Sequence, residues 1–325
     1  MASEDANRDY RPMKCSVLLP VYNAGAALQA AIESILGQDE GDFEFLITDD
    51  CSTDDSANVI RRYAASDARI RPTFHARNAG VPFTLNEGLA AARCELVVKM
   101  DQDDISLPGR IGTQVEFLRQ RPEVAVAGSF VYHMGRRPAD DRLVRLPVEH
   151  EAIVRTLARE NCMYHPSVIM RRDAIRGLGG YRMEFLNSED YDLWLRVAKV
   201  HKLANIPEPL LRYRFSVNGV TLGRKWEQAL YAQMASISSL HPEWSLERVR
   251  QEAAAELERV GKGCFLEQVA RGTTRELIGL RMYSDAWRIL RSFARQMEAR
   301  RVPGLVREFM GALVRSGFRA SGKAG

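Results

Sequence analysis

Short apolar runs and one-sided helical patterns alternate along the first half of this chain. Ser16-Val-Leu-Leu-Pro20 reads as a strand. A turn at Asn23-Ala-Gly25 leads to a helix with Leu28, Ala31, Ile32, Ile35 and Leu36 on one face. Phe43 to Thr48 is the next strand, and Ser52 or Asp54 can cap a helix running to about Ala65. Ile70 to Phe74 is a third strand. Asn78-Ala-Gly80 turns into a helix near Phe83–Arg93, and Glu95 to Met100 is a strand ending on Asp101-Gln-Asp-Asp104. Pro108 suits the first turn of a helix lasting to about Arg121, and Glu123 to Tyr132 is a further strand. The pattern predicts an α/β fold with a mostly parallel sheet, its apolar strands covered by helices on both faces.

The second half changes character. His165 to Met170 and Pro209 to Phe215 read as strands, with helices near 149–159 and 188–201. From about Gly223 onward only helical patterns remain, in four or five segments separated at Pro242, Gly261-Lys-Gly263 and Val302-Pro-Gly304. Three parts are expected: a flexible lead-in over 1–12, an α/β domain over 13–221 and an all-α extension over 222–325.

Composition narrows the class. The 325 residues are 46% hydrophobic and 27% charged, which is globular and leaves room for two domains. The net charge of +4 hides an asymmetry. Residues 271–325 carry 12 Lys/Arg against 4 Asp/Glu, so the remainder is net acidic. No apolar run approaches the ~18 residues of a membrane span, and the start, MASEDANRDY, does not read as a signal peptide. The five cysteines are widely spaced with no CxxC, so a reduced, cytoplasmic setting is expected.

Ligands of open α/β sheets bind at the carboxyl ends of strands. Acidic clusters sit at two such ends, Thr48-Asp49-Asp50 and Asp101-Gln-Asp-Asp104. Carboxylates gathered at one sheet edge repel unless a cation or a donor-rich ligand joins them. Asp101-x-Asp103 suits Mg²⁺ or Mn²⁺, which take one or two carboxylates and complete their shell with water and phosphate oxygens. Capping of the helix near Leu107 is an equally good account of these acids alone.

Several segments together tilt the balance. Leu19-Pro-Val-Tyr-Asn23 is followed by Ile47-Thr-Asp-Asp-Cys-Ser-Thr-Asp54, then Arg77-Asn-Ala-Gly80 with Asn86-Glu-Gly88, then Val98-Lys-Met-Asp-Gln-Asp-Asp104 with Pro108 and Arg110. His165-Pro-Ser-Val168, Gly179-Gly-Tyr-Arg182 and Ser188-Glu-Asp-Tyr-Asp-Leu-Trp-Leu-Arg196 complete the series. From about Cys15 to Thr221 the chain resembles the family 2 glycosyltransferases of GT-A fold. The resemblance implies inverting, metal-dependent transfer of a sugar from a nucleoside diphosphate, UDP being the commonest, to an acceptor hydroxyl in surface or exopolysaccharide synthesis. It implies donor contacts at Pro20, Tyr22, Asp50, Asn78 and Asp101. It implies a metal, Mn²⁺ or Mg²⁺, on Asp103 with help from Asp101. Asp190 corresponds to the catalytic base and Glu189 to its acidic neighbour. The acceptor implied is a glycan or its lipid-linked precursor. A sugar-phosphate nucleotidyltransferase would need a Gly-rich, Arg-containing N-terminal loop, which Leu19-Pro-Val-Tyr-Asn23 is not. A nucleotide-sugar-binding scaffold without turnover is the other alternative.

Local readings compete at several positions. Glu189 and Asp190 would also favour a helix macrodipole, with Asn187 or Ser188 as cap. Asp192 would point away on the same helix and is read as structural. His165 faces either the acceptor and phosphates or a structural hydrogen bond. Arg77 and Asn78 touch the nucleotide or shape a turn. In Tyr213-Arg-Phe-Ser216, Ser216 stands where the family often has His, which puts a metal-holding role for that position in doubt. In the extension, Trp226 and Trp244 are read as packing residues. Val306 to Arg319 pairs Phe309, Leu313 and Phe318 with Arg307, Arg315 and Arg319, which suits either a solvated basic face or peripheral contact with an anionic membrane. No nucleic-acid motif accompanies the charge, so no nucleic acid is expected as partner.

Overall fold

The computed structural model describes residues 14–214, 222–295 and 302–315. The expected lead-in at 1–12, the boundary at 221 and Ser216 lie outside the described residues. Contacts divide the chain into two units: the described residues of Met1–Val131 with Arg145–Tyr213, and those of Tyr132–Val144 with Arg214–Gly325.

The first unit opens with β1 (Cys15–Val21), α1 (Ala27–Leu36), β2 (Phe43–Asp49), α2 (Ser56–Ser66), β3 (Ile70–Phe74), α3 (Val81–Ala91) and β4 (Leu96–Lys99), following the predicted alternation within a few residues. β2 is buried at every position, as expected for a strand covered on both faces. α1 buries Leu28, Ala31, Ile32 and Ile35, the face read from the sequence. β5 (Ile105–Ser106), α4 (Arg110–Gln120) and β6 (Val124–His133) follow. Pro108 stands two residues before α4, separated from it by left-handed Gly109, and not in its first turn as expected.

Beyond β6 come β7 (Arg142–Val144), α5 (His150–Leu157), β8 (Ile169–Arg171), α6 (Arg172–Gly177), α7 (Glu189–Val197) and β9 (Lys202–Tyr213). His165–Ser167 is a 3₁₀ turn, so the expected strand shortens to β8. β9 begins seven residues earlier than the strand read at Pro209.

The strand order is β3-β2-β1-β4-β8-β6-β9-β5, with β7 beside β6. β3, β2, β1 and β4 pair in parallel, whereas β4–β8, β8–β6 and β9–β5 are antiparallel. The chain runs outward from β1 to β3, then returns to place β4 on the other side of β1. That reversal makes the carboxyl ends of β1, β2 and β4 a topological switch point, where such sheets hold ligands.

The second unit contains α8 (Leu222–Leu240), α9 (Leu246–Val260), α10 (Lys262–Gly279), α11 (Tyr283–Ala294) and α12 (Val302–Arg315). Val302-Pro-Gly304, read as setting off the last segment, forms the first turn of α12, where Pro is tolerated. The break between α10 and α11 falls at 280–282, where Arg281 takes a φ of 58°. Leu266, Ala270, Leu277 and Ile278 of α10 pack with Ile289, Leu290 and Phe293 of α11 and Phe309 of α12. His133 Nδ1 lies 2.8 Å from Glu276 Oε1, and Arg142 donates to Glu276 at 2.9 Å, tying the end of β6 and β7 to α10. Trp226 meets Phe265 edge-on at 5.3 Å and Trp244 stacks on His241 at 4.0 Å, both packing roles. Among the described residues no helix is long and apolar enough to cross a membrane.

Candidate functional site

A cleft of about 170 Å³ opens at the switch point of the first unit, lined by Pro20, Val21, Tyr22, Asp50, Val81, Thr84, Asp101, Gln102 and Asp103. Five residues named from the sequence, Pro20, Tyr22, Asp50, Asp101 and Asp103, therefore meet in one place. They arrive from three parallel strands: Pro20 and Tyr22 from the end of β1, Asp50 from the end of β2, and Asp101 and Asp103 from the turn after β4. Gln102 clamps the end of β1: Tyr22 N–H donates to Gln102 Oε1 at 2.7 Å, and Gln102 Nε2 donates back to the Tyr22 carbonyl at 3.1 Å.

Asp50 is buried, and its carboxylate is bound before any ligand arrives. Ala79 N–H donates to Oδ1 and Gly80 N–H to Oδ2, both at 2.8 Å. Gly80 has φ +87°, a conformation that L side chains rarely adopt and glycine accepts freely. Asn78 is not among the lining residues; its amide donates to the Asp50 carbonyl at 3.2 Å and shapes the turn. Arg77 is exposed.

Lys99, at the end of β4, is a buried lysine ion-paired with Asp101. Its charge also acts on Glu189, Asp190 and His165. Arg110 is fully buried. It donates to the Lys99 carbonyl at 2.8 Å and the Pro166 carbonyl at 2.7 Å, locking β4 to the His165 turn. Burial pushes the Arg110 pKa down to about 10 against the charge of Asp104, so it stays cationic at neutral pH.

The other carboxylates sit in the first turn of α7. Asp190 is half-buried; Asn161 Nδ2 donates to its Oδ2 at 2.8 Å and Tyr191 N–H to its Oδ1 at 2.7 Å. Glu189 is buried, and its Oε2 has no hydrogen-bond partner. Burial, and then the Asp190 charge, push Glu189 up to about 7. Burial also raises Asp190, against the bonds from Tyr191 and Asn161. A carboxylate with a raised pKa and an oriented lone pair is suited to accept a proton near neutral pH.

Other residues of the quoted segments build the frame. Asp192 is buried between Arg182 and Arg196 and points into scaffold, as expected. Asn86 clamps the Tyr181 backbone with bonds of 2.7 and 2.9 Å. A Cβ on Gly180, at φ +68°, would lie 2.3 Å from the Asn86 side chain, so only glycine fits. His165 is the structural alternative: buried, 2.8 Å from the Tyr181 hydroxyl, and held neutral by burial and by Lys99. Lys99 and Gln102 lay within a quoted segment without a role, and nothing local marked Asn161 or His75.

Two carboxylates facing an open cleft fit a divalent ion that takes its remaining ligands from a diphosphate and water. Among the described residues no group of three or more His, Cys, Asp or Glu side chains is arranged to hold an ion by itself.

The sequence profile of glycosyl transferase family 2 matches residues 16–179. The amylovoran biosynthesis glycosyltransferase AmsE of Erwinia amylovora is 30% identical over 214 residues, covering 65% of this chain and 80% of its own. S. aureus TarS 1-349 in complex with UDP aligns with a TM-score of 0.56 at 16% identity, over 87% of this chain and 91% of that one. The mannosyltransferase PcManGT from Pyrobaculum calidifontis, in complex with GDP-Man and Mn²⁺, aligns with a TM-score of 0.55 at 16% identity, over 95% and 88%. At such identities the two structures speak for the fold, which is that of GT-A glycosyltransferases.

Proposed function

The chain belongs to glycosyl transferase family 2, and from that premise we propose that it transfers a sugar, with inversion, from a nucleoside-diphosphate sugar to an acceptor hydroxyl in polysaccharide synthesis. The observation that carries this reading is the convergence of Asp50, Asp101 and Asp103 on one cleft at the switch point. Pro20, Tyr22 and Asp50 receive the nucleoside, and Asn78 supports Asp50 from its turn. Asp103 would hold Mn²⁺ or Mg²⁺, and Asp101, paired with Lys99, would lie toward the ribose or the ion. The bound ion supplies Lewis-acid neutralisation of the leaving diphosphate.

Asp190 takes the proton of the attacking hydroxyl at Oδ2 or Oδ1, with Asn161 fixing the carboxylate. Burial raises the proton affinity of Asp190, and burial with the Asp190 charge raises that of Glu189 beside it. One displacement needs one base, and attack opposite the diphosphate inverts the anomeric carbon. The acceptor is a growing glycan or its lipid-linked precursor. The test is a thermal-shift screen of UDP- and GDP-sugars with Mn²⁺. A donor at 100 times its Kd adds about 2.7 kcal/mol to stability, and chelation reverses the shift.

Peripheral contact with an anionic membrane belongs to the same reading. Of the stretch expected to make it, the side chains beyond Leu313 lie outside the described residues. α11 carries a better-supported face. Trp287, 45% exposed, stands beside Arg288, Arg291 and Arg295 around a shallow groove of about 380 Å³. Arg291 and Arg295 form no ion pair among the described residues. Charge complementarity favours an anionic lipid surface there.

A further inference from the structure

Asp50 lines the cleft, yet little of its hydrogen-bonding capacity is left. A carboxylate offers about four lone-pair sites, two on each oxygen. Oδ1 has both engaged: Ala79 N–H donates at 2.8 Å, and His75 Nδ1 lies 2.7 Å away. Oδ2 accepts Gly80 N–H at 2.8 Å, which leaves one acceptor site, on Oδ2.

His75 is held to this task from its other side. Nε2 lies 2.8 Å from Glu87 Oε2, and the ring meets Phe83 edge-on with centroids 5.8 Å apart. Its side chain is 10% exposed. Burial works against the imidazolium, but the bonds to Asp50 and Glu87 outweigh it and raise the His75 pKa. His75 therefore stays a donor toward Asp50 Oδ1.

Nucleobases differ in what they offer such an acceptor. Uracil presents one imide N–H, at N3. Guanine presents N1–H and the N2 amino group side by side, a pair that matches a carboxylate with both oxygens open. Cytosine has a bare N3 lone pair where uracil has its N–H, which an acceptor repels, and its N4 amino donor lies to one side of that position. We propose that His75 determines the nucleobase specificity of the donor cleft: by occupying Oδ1 of Asp50 it leaves one acceptor, which fits uracil and rejects the paired donors of guanine. This rests on the cleft being the donor site, and it separates two diphosphates that fold neighbours are seen to hold, UDP and GDP-Man. His75 acts through Asp50 and is a positioning residue.

The experiment is calorimetric titration of UDP, GDP, CDP and N3-methyl-UDP into the full chain with Mn²⁺. UDP is expected to bind about tenfold or more tighter than the other three, the cost of one lost or mismatched hydrogen bond in a buried site. His75→Leu, which frees Oδ1, narrows the UDP-to-GDP ratio, while His75→Asn, whose amide can still donate, retains it. GDP or N3-methyl-UDP binding within threefold of UDP overturns the proposal while leaving the cleft as donor site. Equal weakening of all four ligands in both variants overturns it too, since that marks a structural role. Absence of binding by every diphosphate overturns the donor site and the proposal together.

Discussion

The two units bury different things. In the first, Asp50, Glu44 and Lys99 on the parallel strands or their ends, Arg110 on α4, and Glu189 and Asp192 on α7 are all out of water. In the second, the interior of α10, α11 and α12 is Leu, Ile, Ala and Phe, and charge stays on the outside. Burying charge costs stability unless every group is paired, so a fold that does it repeatedly in one place has a use for the arrangement. Perturbed carboxylates and a buried lysine gather where the chemistry is proposed. The helical unit shows what a region looks like when packing is its main requirement.

The largest effect expected from disturbing this contrast is at Arg110. Arg110→Met removes two bonds to backbone carbonyls and leaves Asp104 without its cationic neighbour. Denaturant unfolding should show a loss of about 3–5 kcal/mol, together with loss of donor binding. The counterpart in the helical unit is Ile289→Ala, which leaves a cavity among α10, α11 and α12. A cost of about 2–5 kcal/mol is expected, with helical-unit amides losing hydrogen-exchange protection and the donor cleft keeping its affinity. Equal loss of donor affinity in both variants would erase the distinction.

A smaller effect is expected at Glu189, and its sign is opposite. Its folded pKa of about 7 lies above the ordinary 4.5, so its contribution to stability is fully present below about pH 4.5 and lost as pH rises through 7. Glu189→Gln removes that titration. The ligand-free variant should match the parent near pH 4 and exceed it at pH 8 by roughly 1–3 kcal/mol, as read by unfolding midpoints. A variant less stable at pH 8 would show that Oε2 has a partner worth more than its burial costs. The smallest effect belongs to the surface. Arg291→Glu with Arg295→Glu should leave stability within about 0.5 kcal/mol and abolish sedimentation with phosphatidylglycerol vesicles at low salt. Sedimentation unchanged by the pair would remove the membrane reading of α11.

What the sequence revealed follows the same division of physics. β1 through β4 were legible because doubly covered strands are continuous apolar runs, each closed by its own turn chemistry. β9 was cut short because Pro207 and Pro209 interrupt it, and proline argues against a strand interior unless tertiary pairing overrides it. The His165 turn looked like a strand because Pro166 biases its neighbour toward extended backbone; local bonds from Ser167 and Val168 coil it, and Arg110 and Gln114, some fifty residues away, hold its carbonyls. The acidic residues of the cleft were legible because strand ends are where ligands go. Asn161, His75 and Lys99 were not, since each gains meaning only from a carboxylate that folding brings beside it.

The central claim divides labour between two carboxylate sets in one unit: Asp103 holds the donor and Asp190 takes the proton. Donor affinity and transfer rate measured side by side in Asp190→Asn and Asp103→Ala test it directly. Asp190→Asn should bind donor as the parent does and lose transfer by roughly 10²–10⁴-fold, whereas Asp103→Ala should lose metal-dependent donor affinity. Transfer at the parental rate in Asp190→Asn, or unchanged metal-dependent affinity in Asp103→Ala, would contradict the account.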